Sequence, residues 1–134
     1  MKDFAVKTKQ KLMDVIHEMS QQQTGFVKKP SSDFTRKRKL DFETFLKLTL
    51  TMEGSSVKKE MLEYFNFATD TATASAYNQQ RSKVLPEAFE FMFHSFTSKL
   101  EGRKLYSGYR LIACDGSDIN IARNPKDTDT YFQS

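Results

Sequence analysis

Asp41-Phe42-Glu43-Thr44-Phe45-Leu46-Lys47-Leu48-Thr49-Leu50-Thr51-Met52-Glu53-Gly54 is the segment that decides the fold. Asp41 is a capping residue type, whose carboxylate can accept the backbone N–H groups that a first helical turn leaves without partners, and Gly54 supplies the stop. Between them Phe42, Phe45, Leu46, Leu48, Thr49 and Met52 make a wide apolar face. A surface helix carries a stripe of about 100°. The greater breadth here predicts a helix covered on several sides, and hence a helical domain built around it.

Outward toward the amino terminus, residues 3 to about 22 contain no proline or glycine, and Phe4, Leu12, Val15, Ile16 and Met19 fall near helical spacing, predicting an amphipathic helix. Residues 23–32, with Gly25, Pro30 and two adjacent serines, read as a linker. Toward the carboxyl terminus Ser55-Ser56 offers a cap for a third helix bearing Met61, Leu62, Tyr64, Phe65 and Phe67. Ser75 is placed to cap a fourth helix, residues 76 to about 84, and Pro86 to start a fifth. The fifth has Phe89, Phe91, Met92, Phe93, Phe96 and Leu100 all round it and is expected to be enclosed by other helices. After Gly102 the pattern becomes Tyr109-Arg110-Leu111-Ile112-Ala113-Cys114, a turn at Asp115-Gly116-Ser117, and the alternating Asp118-Ile119-Asn120-Ile121, which predicts a β-hairpin. The expected fold is therefore mainly α: a helical domain over residues 1–104, then a hairpin and polar tail over residues 105–134.

With 134 residues the chain has room for one domain and an appendage, and 12 Phe with 5 Tyr set it apart from disordered segments. Cys114 is the only cysteine, which excludes an internal disulfide framework and a multi-cysteine zinc site, and His17 and His94 are too few and too separate to replace one. Any chemistry must come from carboxylates. No apolar run approaches the roughly 18 residues of a membrane span, and Met1-Lys2-Asp3-Phe4-Ala5-Val6-Lys7 lacks a signal-peptide core. A cytoplasmic protein without a membrane partner is expected.

Charge is unevenly distributed: residues 1–59 hold 13 Lys/Arg against 7 Asp/Glu, and residues 111–134 hold 2 against 4. Its focus is Asp33-Phe34-Thr35-Arg36-Lys37-Arg38-Lys39-Leu40, where four adjacent cations repel one another unless an anion lies beside them. Arg36, Lys37, Arg38 and Lys39 are either a solvated charge patch or a phosphate-contacting segment, and Phe34 and Leu40 are positioned to anchor them. Gln79, Gln80, Arg81 and Lys83 on the fourth helix are either base-reading side chains or the exposed face of an ordinary helix. On the first reading, the third and fourth helices form a helix-turn-helix-like pair.

Leu111-Ile112-Ala113-Cys114-Asp115-Gly116-Ser117 puts a carboxylate at the end of an apolar strand. Two-metal phosphodiester chemistry needs hard oxygen ligands on a rigid element, holding Mg²⁺ ions about 4 Å apart. Together with the order of Phe34-Thr35-Arg36-Lys37-Arg38-Lys39-Leu40, Phe42-Glu43-Thr44-Phe45, Ser75-Ala76-Tyr77-Asn78-Gln79-Gln80-Arg81, and Leu105-Tyr106 through Asn124-Pro125, the chain resembles DDE-type insertion-sequence transposases, more narrowly those of the insertion-sequence-four type. The resemblance spans about residues 34–131. It implies a helical region that holds terminal inverted repeats of double-stranded DNA, dimers assembled on DNA, and a ribonuclease-H-like core in which Asp115 is the first of three catalytic carboxylates and a Mg²⁺ ligand. It assigns no residue of this chain to the second Asp or the Glu. On that expectation the chain is an amino-terminal portion with an incomplete core, inactive alone. Two other readings stand beside it: a non-catalytic DNA-binding regulator or transposition inhibitor, and a helical module whose basic patch meets an acidic protein.

Overall fold

The computed structural model describes residues 2–100 and 107–109. The chain divides into two units, Met1–Gly102 and Arg103–Ser134, and every helix described below belongs to the first. Among the described residues five α-helices follow in order: α1 (Lys2–Gln21), α2 (Phe42–Thr51), α3 (Val57–Tyr64), α4 (Ala74–Arg81) and α5 (Glu87–Ser98), with a 3-10 turn at Gln23–Phe26. The mainly α expectation holds. Of the expected hairpin only Tyr109 is among the described residues; the rest of it, with Asp115 and the ribonuclease-H-like core, lies outside them.

The centre of the unit is α2. The Asp41 carboxylate accepts the Thr44 N–H at 2.8 Å, closing the first turn. Phe42, Phe45, Leu46 and Leu48 are buried, and the helix packs against α1, α3 and α4 at once, which is why its apolar arc is so wide. Phe45 stacks on Tyr77 of α4, with ring centroids 5.4 Å apart, and the Tyr77 hydroxyl meets Thr49 Oγ1 at 3.1 Å. The aromatic contact and the hydroxyl partner together fix α4 to α2.

In α1, Val15, Ile16 and Met19 are buried with Leu12 packed beside them, one stripe facing α2 and α5. Phe4 departs from the expected stripe and is 69% exposed. Glu43 joins α1 to α2 by accepting hydrogen bonds from Ser20 Oγ at 3.2 Å and Lys47 Nζ at 2.5 Å, with His17 Nδ1 also 3.2 Å away. The Lys47 hydrogen bond, partly opposed by burial and reinforced by His17 and Ser20, holds the Glu43 carboxyl below its ordinary range.

Three sequence expectations are corrected. Residues 23–32 are no free linker: Val27 is buried and bridges Val84, with Lys28 N–H donating to the Lys83 carbonyl at 2.8 Å and Leu85 N–H to that of Phe26 at 2.9 Å. Glycine and proline marked the turn correctly, but the Phe26-Val27 pair is apolar enough to be pulled into the core. The α4 cap is Thr73, whose hydroxyl accepts the Ala76 N–H, so Ser75 lies inside the helix. Finally α5 is not enclosed: Ala88 and Met92 are buried, but Phe91 and Phe93 are 47% and 63% exposed. Among the described elements α5 packs mainly on α1, which covers only one side of it.

Candidate nucleic-acid interface

Residues 33–40 lie on the surface as an irregular segment pinned at both ends. Asp33, 7% exposed, accepts the Lys29 N–H through Oδ2 at 2.9 Å, closing a turn around Pro30. Phe34 is buried with its ring edge-on to Phe42, centroids 5.4 Å apart, and Leu40 is 3% exposed. Phe34 also has φ of +55°, a left-handed conformation that bulky side chains rarely adopt. Its ring contacts with Phe42 and Phe45 hold that conformation in place. Arg36, Lys37, Arg38 and Lys39 are all exposed.

Gln80 of α4 fixes the other end. Its Nε2 donates to the Leu40 carbonyl at 3.0 Å and its Oε1 accepts from Lys83 Nζ at 2.8 Å. Lys83 Nζ also lies 5.9 Å from the centre of the Phe34 ring, within cation–π range. The structure thus brings the two sequence-predicted groups together: α4 and the segment after it flank the basic run. Two adjoining depressions of about 260 and 180 Å³ occupy the seam, and Arg38, Gln80 and Lys83 line both. Among the described residues no carboxylate lines either one.

Within this arrangement the candidate residues separate. Gln79 and Arg81 are exposed on α4, whereas Gln80 is 6% exposed with its Nε2 and Oε1 each in a hydrogen bond. Gln80 is therefore corrected from a base-reading side chain to a positioning residue. Lys39 pairs with the carboxylate of Asp70, which the hydrogen bond and charge of Lys39 hold below its usual range. Arg36, Lys37, Arg38 and Arg81 make no ion pair or hydrogen bond among the described residues. The helix-turn-helix expectation also changes. Although α3 packs on α4, residues 65–73 separate them, with Asn66 and Phe67 left-handed, whereas the motif's turn has about 3–4 residues.

Sequence reasoning missed Ser31, Ser32 and Thr35, which line the larger depression with Arg36, Arg38 and Lys83. Hydroxyls immediately before a basic run were the available signal, masked because serines beside proline also serve as turn residues. Asp115 lies outside the described residues, and among those described no group of three or more His, Cys, Asp or Glu could hold a metal ion. No described helix is long and apolar enough to cross a membrane. Compared with protein-family models, curated proteins and solved structures, the chain matches none of them significantly.

Proposed function

We propose that residues 2–100 form a DNA-binding domain that grips the phosphate backbone of double-stranded DNA. The observation that carries this reading is the anchored cationic seam formed by Arg36, Arg38 and Lys83 beside α4, with no carboxylate among its described lining residues. A solvated charge patch needs no buried Phe34 and Leu40 to hold it; phosphate contacts need cations at fixed positions on a rigid element. Lys37 and Arg81 extend the positive surface, and Gln79 is the exposed amide able to reach a base edge.

The resemblance to insertion-sequence transposases makes terminal inverted repeats the DNA in question and Asp115 a Mg²⁺ ligand in the transposition reaction. Recognition of repeats without cleavage, as by a regulator or inhibitor, uses the same surface. The test is binding of the full chain to a repeat-bearing duplex and a scrambled duplex across a salt series. Neutralised phosphates give a log–log slope of about −0.9 each, so Arg36→Ala with Arg38→Ala should flatten the slope by nearly two. Absence of binding at low salt would refute the proposal and leave an acidic protein as the partner of the basic patch.

A further inference from the structure

We infer that the larger depression is a receptor for a dianionic phosphomonoester, and that its source is the 5′-phosphate at a DNA end. This rests on the DNA-binding reading above and narrows it. The depression, about 260 Å³, is lined by Arg36, Arg38 and Lys83 with Ser31, Ser32 and Thr35. That is smaller than the roughly 300–1,000 Å³ of clefts that enclose whole small molecules, so it suits one compact charged group. The Ser31 and Ser32 hydroxyls make no side-chain hydrogen bond among the described residues and are free to donate, whereas Thr35 Oγ1 donates its only proton to the Ser32 carbonyl at 3.1 Å and fixes the turn beside them. Asp33, 7% exposed, turns its carboxylate to the Lys29 N–H and is not among the residues lining the depression, whose described side chains carry positive charge only.

Charge and shape both select the terminal group. A phosphomonoester carries about −1.5 to −2 at pH 7, against −1 for an internal diester, and presents three unesterified oxygens rather than two. Three cations, with no carboxylate among the described lining residues, match the higher charge. An internal phosphate continues into the chain on both sides, so the strand must enter and leave the depression; a terminal phosphate enters once and leaves Lys37, Gln79 and Arg81 to meet the adjoining duplex.

Three duplexes of identical sequence test this with the full chain: one with 5′-phosphates, one with 5′-hydroxyls, and one closed by hairpins at both ends. The phosphorylated duplex should bind about tenfold more tightly than either other, equivalent to about 1.4 kcal/mol. The preference should weaken as pH falls through about 6, where the monoester takes up a proton. Arg36→Ala, and separately Ser31→Ala with Ser32→Ala, should reduce it to within about twofold. These residues are exposed, and melting curves check that the variants remain folded. Equal binding of all three duplexes would overturn the inference and leave the DNA-binding proposal standing; binding of none would overturn both. A nucleoside 5′-monophosphate that competes as well as the phosphorylated duplex would move the assignment from a DNA end to a free phosphate.

Discussion

Replacing Gln80 by Leu keeps the volume of a buried side chain but removes its hydrogen bonds, and the structure gives the size of the effect. The Leu40 carbonyl, in a residue 3% exposed, accepts from Gln80 Nε2 at 3.0 Å and would lose that donor. A buried acceptor left without a partner costs about 1–3 kcal/mol. Lys83 Nζ loses its 2.8 Å bond to Gln80 Oε1 but is only partly buried, so water replaces it at small cost. A loss of about 2 kcal/mol, at about 4–8 °C per kcal/mol for a domain of this size, lowers the melting temperature by about 8–16 °C. The neighbouring Gln79→Leu, made on an exposed side chain, should stay within about 0.5 kcal/mol of the parent. Thermal unfolding followed by far-ultraviolet circular dichroism compares the two. Equal melting temperatures would mean that Gln80 does not hold the end of the basic run, and the distinction drawn between the two glutamines would fall.

Asp70→Asn should strengthen DNA binding, because it releases Lys39 from its ion pair; titrations should show a log–log salt slope steeper by up to about 0.9, with folding unchanged. Phe45→Ala, at a fully buried ring touching Tyr77 and Phe34, should cost about 3–5 kcal/mol in urea unfolding, whereas Phe93→Ala, at a ring 63% exposed, should cost under about 1 kcal/mol. Glu43, whose folded pKa lies below its ordinary value of 4.5, contributes stability that is present above that value and lost as pH falls through the lowered folded value. Glu43→Gln should therefore flatten the acid limb of the stability curve, by at most about 1 kcal/mol for a partly exposed pair; an unchanged acid limb would remove Glu43 as the clasp between α1 and α2.

What was legible in the sequence was whatever depends on local spacing. The cap at Asp41, the breadth of α2 and the Leu12, Val15, Ile16, Met19 stripe are all fixed by neighbours three or four residues away, and all appear where the pattern places them. Apart from the α4 cap, which falls on Thr73 two residues before Ser75, the errors occur where a distant partner decides. Val27 pairs with Val84 across 57 residues, which no window of local periodicity can register. Phe91 and Phe93 have the same composition and spacing as core residues, and only the absence of a covering helix among the described residues leaves them exposed. Gln80 and Gln79 are adjacent and chemically identical, yet their orientations on α4 give one to Leu40 and the other to solvent.

The basic run shows how such long-range contacts turn composition into a surface. Four adjacent cations favour an extended, solvated chain, since extension separates like charges. Here the run is instead held to α2 by Phe34 and to α4 by the Gln80 bond to Leu40, and Phe34 adopts a backbone conformation that costs on the order of 1–3 kcal/mol. Its burial against Phe42 and Phe45 offsets that cost. Both the conformational strain and the charge repulsion oppose folding in the absence of a ligand, and an anion in the seam relieves the repulsion while leaving the anchors unchanged. On the DNA-binding proposal, polyanion binding and stability should therefore be coupled in this domain, because ligand that binds only the folded state shifts the folding equilibrium toward it.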